Sequence, residues 1–359
     1  MKKKNLGQSN NRRSFLKGTL AAGAAVAGAS AVSAPNLLAQ SGSLNPGDIA
    51  ILRFLAAAEL IETDLWQQYA ELGGVTNRHV TPYQTAFQQL DSDGPQYITS
   101  NTLDEQSHAQ FLNAYLILHG ATPVDLDAFR ILPSSQAVGA QQIGRLTNLT
   151  QLSIDTSWYT RYRSSANPDF GASFPQALPQ LAAGPFATIP KTNADFAPAA
   201  HIQALANSAA FHFASIEQGG SSLYATLSHK VTSPEVLRIV VSIGGDEVAH
   251  FLEWVDFAGN SVQPPVAPLT DPDTGLVFPD FNATGNPLLQ TNLIFPVPCE
   301  FISPALPHCA VIRPTAQTQI DAMGAAHALI SSGLFIGQPP IFSQVLMELA
   351  AEADAAVRM

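Results

Sequence analysis

The chain has 359 residues, of which 46% are hydrophobic and 13% are charged. This composition allows one large domain or two ordinary ones with a substantial core. It excludes the class of chains that are disordered tails. The 28 acidic residues outnumber the 17 basic residues, and six of the basic ones lie in the first 17 positions. Because nucleic-acid binding needs clustered cations, we expect no nucleic-acid partner. With only two cysteines, the chain is neither a disulfide scaffold nor a Cys-rich zinc module.

The first 40 residues have the pattern of an export signal. A basic segment, MKKKNLGQSNNRRSFLK, precedes a run of small and apolar residues from Thr19 to Ala34. This run of roughly 16 residues is shorter than the ~20 that a membrane helix needs. The adjacent Arg12 and Arg13 resemble the twin-arginine signal, although an ordinary secretory signal containing two arginines is the alternative. We therefore expect the twin-arginine export machinery as a partner, cleavage near residues 34–39, and a periplasmic or extracellular protein with no later membrane span.

The remaining sequence predicts four long helices, which we label A to D in chain order. Helix A has a capping Asn45 followed by Pro46 and stops at two glycines, while helix D starts at Ser233-Pro234. A short helix is expected at 81–90. The predicted bounds of the long helices are 45–72 for A, 97–119 for B, 199–230 for C and 233–259 for D.

Two proline-rich segments interrupt or follow these helices. Residues 121–197 contain no Glu and are predicted to wrap over the bundle, with 141–162 as a further helical candidate. Residues 260–313 are expected to be irregular or short-stranded, and the tail adds helices near 315–332 and 341–357. The predicted organisation is a signal (1–40), a bundle (41–260, with the insertion 121–197) and a C-terminal extension (261–359) packed on it. A disulfide between Cys299 and Cys309 would close a loop in this extension.

Helices B and D carry the same motif, D-E-x-x-H. It occurs as Asp104-Glu105-Gln106-Ser107-His108 and as Asp246-Glu247-Val248-Ala249-His250. A Glu and a His three residues apart project from one helix face, so that both can bind one ion. With 11 Glu and 9 His in the chain, random placement predicts only about 0.3 E-x-x-H matches.

Helices A and C also match each other. Glu62 precedes Tyr69 by seven residues, and Glu217 precedes Tyr224 by seven, which places each pair on one helix face. Both Glu residues have apolar or small neighbours, where an unpaired carboxylate costs several kcal/mol or takes up a proton. Two divalent ions would balance four such carboxylates, so the pattern predicts a dinuclear site.

The order Glu, E-x-x-H, Glu, E-x-x-H on four helices resembles the ferritin-like di-metal carboxylate proteins, whose bundle has this ligand arrangement. More narrowly, the segments ELIETDLW, DEQSHAQFL and DEVAHFLEW resemble exported ferritin-like proteins grouped with desiccation-related and stress-induced proteins. The resemblance covers about residues 45–120 and 198–258. It implies an all-α, ferritin-like four-helix bundle with a long connection between helices B and C and a proline-rich and helical C-terminal extension.

The resemblance also implies roles for individual residues. Asp104 and Asp246 would accept a hydrogen bond from the far nitrogen of a ligating His. Tyr69 and Tyr224 would be hydrogen-bonding or redox-active phenols near the site. Glu105 and Glu217, or their symmetry mates, would bridge the ions. The implied ligands of two iron or manganese ions are Glu62, Glu105, His108, Glu217, Glu247 and His250.

Two features leave alternatives open. Glu59 lies one turn before Glu62 and is an alternative ligand. Gly219-Gly220 follows Glu217 and marks a bulge, a close helix–helix approach or a break in helix C. The other histidines have no repeated spacing and are expected to be surface or capping groups: His79, His119, His201, His212, His229, His308 and His327.

Three functions fit this pattern. The first is an exported di-iron or di-manganese protein that handles oxidants or protects against stress, with O2 or peroxide as the small-molecule substrate. The second is a manganese catalase-like peroxide dismutase. The third is a structural or protective helical protein in which metal only stiffens the bundle. The sequence does not decide the oligomeric state.

Overall fold

The described residues of the protein are mainly helical. The computed structural model describes residues 44–75, 80–161, 174–289, 296–297, 303, 305–310 and 321–359. The structure also contains two antiparallel pairs of two-residue strands. Strand β1 (Leu269–Thr270) pairs with β2 (Val277–Phe278), and β3 (Pro296–Val297) pairs with β4 (Cys309–Ala310). The helices are α1 (Pro46–Gly73), α2 (Pro82–Leu90), α3 (Gly94–Leu118), α4 (Ser157–Arg161), α5 (Pro179–Ala183), α6 (Ala199–Ser228), α7 (Pro234–Asn260), α8 (Ala322–Ser331) and α9 (Pro340–Asp354). The all-α prediction is confirmed.

Two of the four long helices, α1 and α7, begin at residues whose side chains cap them. The Asn45 side chain accepts a hydrogen bond from the backbone N–H of Gly47, and the Ser233 hydroxyl caps α7 in the same way. Predicted helices A, B, C and D correspond to α1, α3, α6 and α7, with bounds that agree to within three residues. Within the described residues, none of the helices is both long and apolar enough to span a membrane.

The long helices form two tightly packed pairs. Helix α1 packs along α3, and α6 packs along α7. The core between them contains a cluster of aromatic rings, in which Trp66 of α1 stacks on Trp254 of α7 with ring centroids 5.3 Å apart. Phe213 of α6 lies against both tryptophans. These contacts hold the inner faces of the helices in register. They therefore also fix the positions of the side chains that lie one helical turn from these rings.

Buried charges attach the insertion 121–197 to α1. Asp64 is fully buried and accepts hydrogen bonds from the Arg130 side chain at 2.8 Å and from the backbone N–H groups of Leu146 and Thr147. Arg145 is buried as well and pairs with Glu71 of α1. The expectation of a helix over 141–162 is wrong for most of that span, because among its described residues, 141–161, only Ser157–Arg161 is helical. The other residues there satisfy their backbone groups through bridges and turns such as Leu152–Phe186.

The C-terminal residues lie against the outer side of the bundle. Helix α9 packs on α1, and Asp354 at its end accepts a hydrogen bond from the Lys230 ammonium at 2.8 Å. The tail helices predicted at 315–332 and 341–357 correspond to α8 and α9, although residues 311–320 are outside the described part of the chain. Cys299 is also outside it, so its predicted disulfide with the exposed Cys309 remains a prediction.

Candidate metal centre

The two D-E-x-x-H motifs meet in the middle of the bundle. Glu105 and His108 lie in α3, Glu247 and His250 lie in α7, and both carboxylates have no exposed surface. The i, i+3 spacing turns each Glu and His toward the same interior face, as the helical period requires. The two imidazole rings lie 6.4 Å apart, centroid to centroid, on either side of the centre.

The ligand-type atoms form two overlapping groups of four. In the first group, His108 Nδ1 lies 3.4 Å from Glu59, 3.3 Å from Glu105 and 3.6 Å from Glu247. In the second group, His250 Nδ1 lies 3.1 Å from Glu105 and 3.3 Å from Glu217, and Glu247 is the fourth member. Glu105 and Glu247 belong to both groups, which puts them where two ions would share their oxygens.

The two aspartates of the motifs contact the far nitrogens of the histidines. Asp246 Oδ2 lies 3.2 Å from His108 Nε2, and Asp104 Oδ2 lies 3.3 Å from His250 Nε2. Each Asp therefore contacts the histidine of the opposite helix, as expected of a group that fixes the tautomer of a ligating imidazole. Both Asp side chains are roughly half exposed, at 47% for Asp104 and 44% for Asp246, so this end of the centre is nearest to solvent.

Helix α1 contributes two buried carboxylates, and the structure brings Glu59 rather than Glu62 into a four-residue group. Tyr224 donates a hydrogen bond to Glu59 Oε1, which orients that carboxylate from α6. Glu62 is also buried, and burial and the charges of Glu105, Glu59 and Glu217 raise its pKa. Glu62 therefore lies close to the same charges, but its carboxylate belongs to neither of the two four-residue groups.

Tyr69 has different partners from Tyr224. Its hydroxyl lies 2.7 Å from Thr188 Oγ1 in the insertion and 2.8 Å from His212 Nδ1. The prediction that His212 and His201 are surface or capping groups is wrong, because only 3% and 6% of their surfaces are exposed. Burial lowers the pKa of His212 to about 3, so this imidazole is neutral and accepts or donates a hydrogen bond inside the core.

Asn101 was not identified from the sequence, although it connects the two halves of the centre. Its amide Nδ2 donates to Glu105 Oε1 at 2.7 Å and to Glu217 Oε1 at 3.2 Å, and its Oδ1 accepts from Trp254 Nε1 at 2.7 Å. Asn101 lies one turn before Glu105, and Trp254 lies one turn after His250. That i, i+4 spacing on a helix already known to face the core is the signal that identifies them.

Helix α6 continues without a break through Gly219-Gly220, so the continuity of this helix is settled. Gly220 is in close contact with α7, because a Cβ built on it would lie 2.0 Å from Glu247 Oε2. A Cβ on Gly219 would meet no atom within 4 Å. Of the sequence alternatives, a close helix–helix approach therefore describes Gly220, which leaves room for the Glu247 carboxylate.

The charges in the centre are strongly coupled. Burial, with the negative charges of Glu217 and Glu59, raises the pKa of Glu105 to about 8, and burial with Glu105 raises that of Glu247. Burial alone would lower the pKa of His108, but its contacts with Asp246, Glu105 and Glu59 raise it to about 12. A site that concentrates acidic groups in this way is stabilised by added positive charge.

Within the part of the chain that the structure describes, five oxygens and one nitrogen of the centre have no hydrogen-bond partner although they are buried. These atoms are Glu59 Oε2, Glu62 Oε2, Glu217 Oε2, both carboxylate oxygens of Glu247, and His250 Nδ1. His250 Nδ1 is 3.1 Å from Glu105, so the atoms are near each other without the alignment of a hydrogen bond. Unpartnered buried atoms with free lone pairs at ligand-to-ligand distances are the pattern that a bound cation would satisfy. The residues present therefore fit a divalent metal centre.

Comparison with protein families agrees with this geometry. A family described as ferritin-like domain matches residues 47–254, more than half of the chain, and this span includes all four long helices up to Trp254. The signal sequence of the twin-arginine translocation pathway matches residues 9–32, so the chain is an exported protein. No curated protein and no solved structure matches the chain. The chain belongs to the ferritin-like domain family.

Proposed function

We propose that the centre of the bundle binds two divalent ions, iron or manganese, and that the protein uses them to handle O2 or peroxide outside the cytoplasm. The observation that carries the proposal is the meeting of buried Glu and His side chains with unpartnered atoms in two overlapping groups. One ion would be held by Glu59, Glu105, His108 and Glu247. The other would be held by Glu105, Glu217, Glu247 and His250.

The charges of this ligand set support two ions. Four carboxylates, Glu59, Glu105, Glu217 and Glu247, balance two divalent cations, and the imidazoles remain neutral. Glu62 is then the fifth carboxylate, and the raised pKa given to it by burial and its acidic neighbours favours its protonated form. Glu59 is assigned as the ligand and Glu62 as a neighbouring acid, which reverses the preference drawn from the sequence spacing.

A pair of iron or manganese ions supplies the redox chemistry of O2 and peroxide. The surrounding residues prepare the site for it. Asn101 holds Glu105 and Glu217 in fixed orientations, and Asp246 and Asp104 hold the imidazoles. The rings of Trp66, Trp254 and Phe213 are buried against one another, and Trp254 Nε1–H donates to the Asn101 that holds Glu105 and Glu217.

The experiment is a comparison of oxidant consumption by the exported protein and by Glu105→Gln, which removes a carboxylate charge common to both ion groups. We expect the wild type loaded with iron or manganese to consume O2 or H2O2, and the variant to lose most of that consumption. Release of O2 from H2O2 with manganese bound identifies the catalase-like reaction. Equal rates in wild type and variant would contradict the proposal.

The role in stress or desiccation is the finer part of the proposal. A cell that exports Glu105→Gln in place of the wild type should survive drying or peroxide less well, because the metal centre and not the helical body provides the protection. Equal survival of the two strains, with the metal lost from the variant, would favour a structural protective protein instead.

A further inference from the structure

A second group of metal-binding side chains lies at the start of α6, remote in sequence from the D-E-x-x-H motifs. His201 of α6, Asp271 and Asp273 of the β1–β2 turn have ligand-type atoms within 4.8 Å of one another. They line a cavity of about 230 Å³ together with Asp195, which belongs to the 3₁₀ turn Asn193–Phe196. None of these residues takes part in the proposed dinuclear centre.

The imidazole of His201 is buried and held in one orientation. Only 6% of the residue is exposed, and its Nδ1 lies 2.8 Å from Asp271 Oδ1. Asp271 is itself 3% exposed and is fixed by the hydroxyl of Thr274 at 2.6 Å. When a carboxylate accepts a hydrogen bond from the Nδ1–H group of a histidine, the Nε2 atom keeps its lone pair available. This is the usual arrangement of a metal-binding imidazole.

The free nitrogen faces two carboxylates of the cavity wall. His201 Nε2 lies 3.7 Å from Asp273 Oδ2 and 4.0 Å from Asp195 Oδ1. Over the part of the chain that the structure describes, Nε2 has no hydrogen-bond partner, although the residue is more than nine-tenths buried. A lone pair that faces two carboxylates is repelled unless a positive charge lies between them.

The 3.7 Å between His201 Nε2 and Asp273 Oδ2 matches the spacing of two ligands of one ion, whereas Asp195 Oδ1, at 4.0 Å, lies slightly beyond it. Nitrogen and oxygen ligands at about 2.0–2.2 Å from a metal lie roughly 3.3–3.8 Å from each other. Asp195 has an oxygen available for this role, because its backbone hydrogen bonds from Lys191 and Thr192 go to Oδ2 and not to Oδ1. Lys191 also lines the cavity, but within the described ranges no salt bridge joins its ammonium to these carboxylates.

We propose that His201 Nε2 and Asp273 bind a divalent transition-metal ion, with Asp195 as a second carboxylate beside them and Asp271 as the residue that orients the imidazole. One imidazole and two carboxylates are a ligand set that zinc and manganese accept. The remaining cavity volume leaves room for water or a small ligand on the ion. This site is separate from the dinuclear centre and does not depend on it.

The test uses the full exported protein with its native metals, incubated with zinc chloride and then dialysed. Asp273→Asn removes one ligand charge from a side chain that is 56% exposed, so we expect the fold to persist. The matched control is Asp125→Asn, an exposed aspartate outside the cavity. We expect wild type and Asp125→Asn to retain one more zinc ion per chain than Asp273→Asn and His201→Gln.

Anomalous scattering at the zinc edge then locates the ion. A peak about 2.1 Å from His201 Nε2 supports the proposal. Equal zinc counts in wild type, Asp273→Asn and His201→Gln would overturn it. So would crystals soaked in zinc that show no peak at His201.

Discussion

Gly219 and Gly220 offer a matched pair of substitutions in one helix turn of α6. A Cβ on Gly220 would lie 2.0 Å from Glu247 Oε2 and 3.0 Å from Glu247 Cδ, whereas a Cβ on Gly219 meets nothing within 4 Å. Replacing Gly by Ala in a helix interior stabilises the helix by about 1 kcal/mol. Both substitutions should therefore give this local gain, but only Gly220→Ala displaces a proposed ligand.

The expected effects on metal binding differ sharply. For Gly220→Ala, the end of the Glu247 side chain must move by about 1.4 Å to reach ordinary van der Waals contact. Because Glu247 belongs to both ion groups, we expect at least a 10–100-fold loss of metal affinity, or about 1.4–2.7 kcal/mol. Gly219→Ala should bind metal like the wild type and unfold with about 1 kcal/mol more free energy.

Competition with a chromophoric chelator measures metal affinity, and urea unfolding of the chelated proteins measures stability. A Gly220→Ala variant with wild-type metal affinity would refute the reasoning, because the Glu247 carboxylate would then not be where the ions bind. Loss of metal in Gly219→Ala would refute it as well, since a Cβ at that position meets no other group within 4 Å.

Three further predictions follow from the buried charges. In chelated protein, the folded-state pKa of Glu105 is raised to about 8 from an ordinary value near 4.5, so the folded state holds the extra proton between these values. Urea unfolding should show stability falling as pH rises from about 4.5 to about 8, and a rise in stability there would count against a buried acidic centre. Arg145→Met removes the guanidinium from the buried Glu71 carboxylate, which keeps its hydrogen bond from the Gln141 backbone N–H, and should lower the free energy of unfolding by about 3–5 kcal/mol, with Arg145→Met/Glu71→Leu recovering most of it. Asn101→Leu removes the donor to Glu105 and Glu217 and should weaken metal binding about 10–100-fold in the chelator assay; unchanged affinity would mean that these carboxylates need no support from Asn101.

The long helices and the D-E-x-x-H motifs were predictable because their signals are local. Caps such as Asn45 and Ser233 and the Gly73-Gly74 pair at the end of α1 mark helix ends, and an i, i+3 spacing fixes which side chains share a face. The family match to residues 47–254 agrees with what those motifs imply. The placement of Glu105, His108, Glu247 and His250 in one centre is a direct consequence of this periodicity.

Local sequence spacing did not identify which of Glu59 and Glu62 joins the centre. The spacing of Glu62 to Tyr69 matches that of Glu217 to Tyr224, but the rotation of α1 against its neighbours decides which carboxylate reaches His108. The structure also shows that the tyrosines are not equivalent, since Tyr224 bonds to Glu59 while Tyr69 bonds to Thr188 of the insertion. Partners contributed by a long irregular segment leave no periodic signal in the sequence.

The buried histidines were missed for the same reason. His212 and His201 lie in a helix predicted correctly, yet their partners come from other elements, namely Tyr69 of α1 and Asp271 of the β1–β2 turn. An isolated His on a helix is more often a surface group, so sequence spacing gave no reason to place these two in the core.

The central claim is that two metal ions lie in the bundle, and counting them tests it most directly. Elemental analysis of protein isolated from its exporting cells should give about two iron or manganese ions per chain from the two groups of the centre. Glu105→Gln/Glu247→Gln should lose both ions, whereas Glu352→Gln, at an exposed position on α9, should keep them. Fewer than one iron or manganese ion per wild-type chain, or an unchanged count in the double variant, would contradict the account.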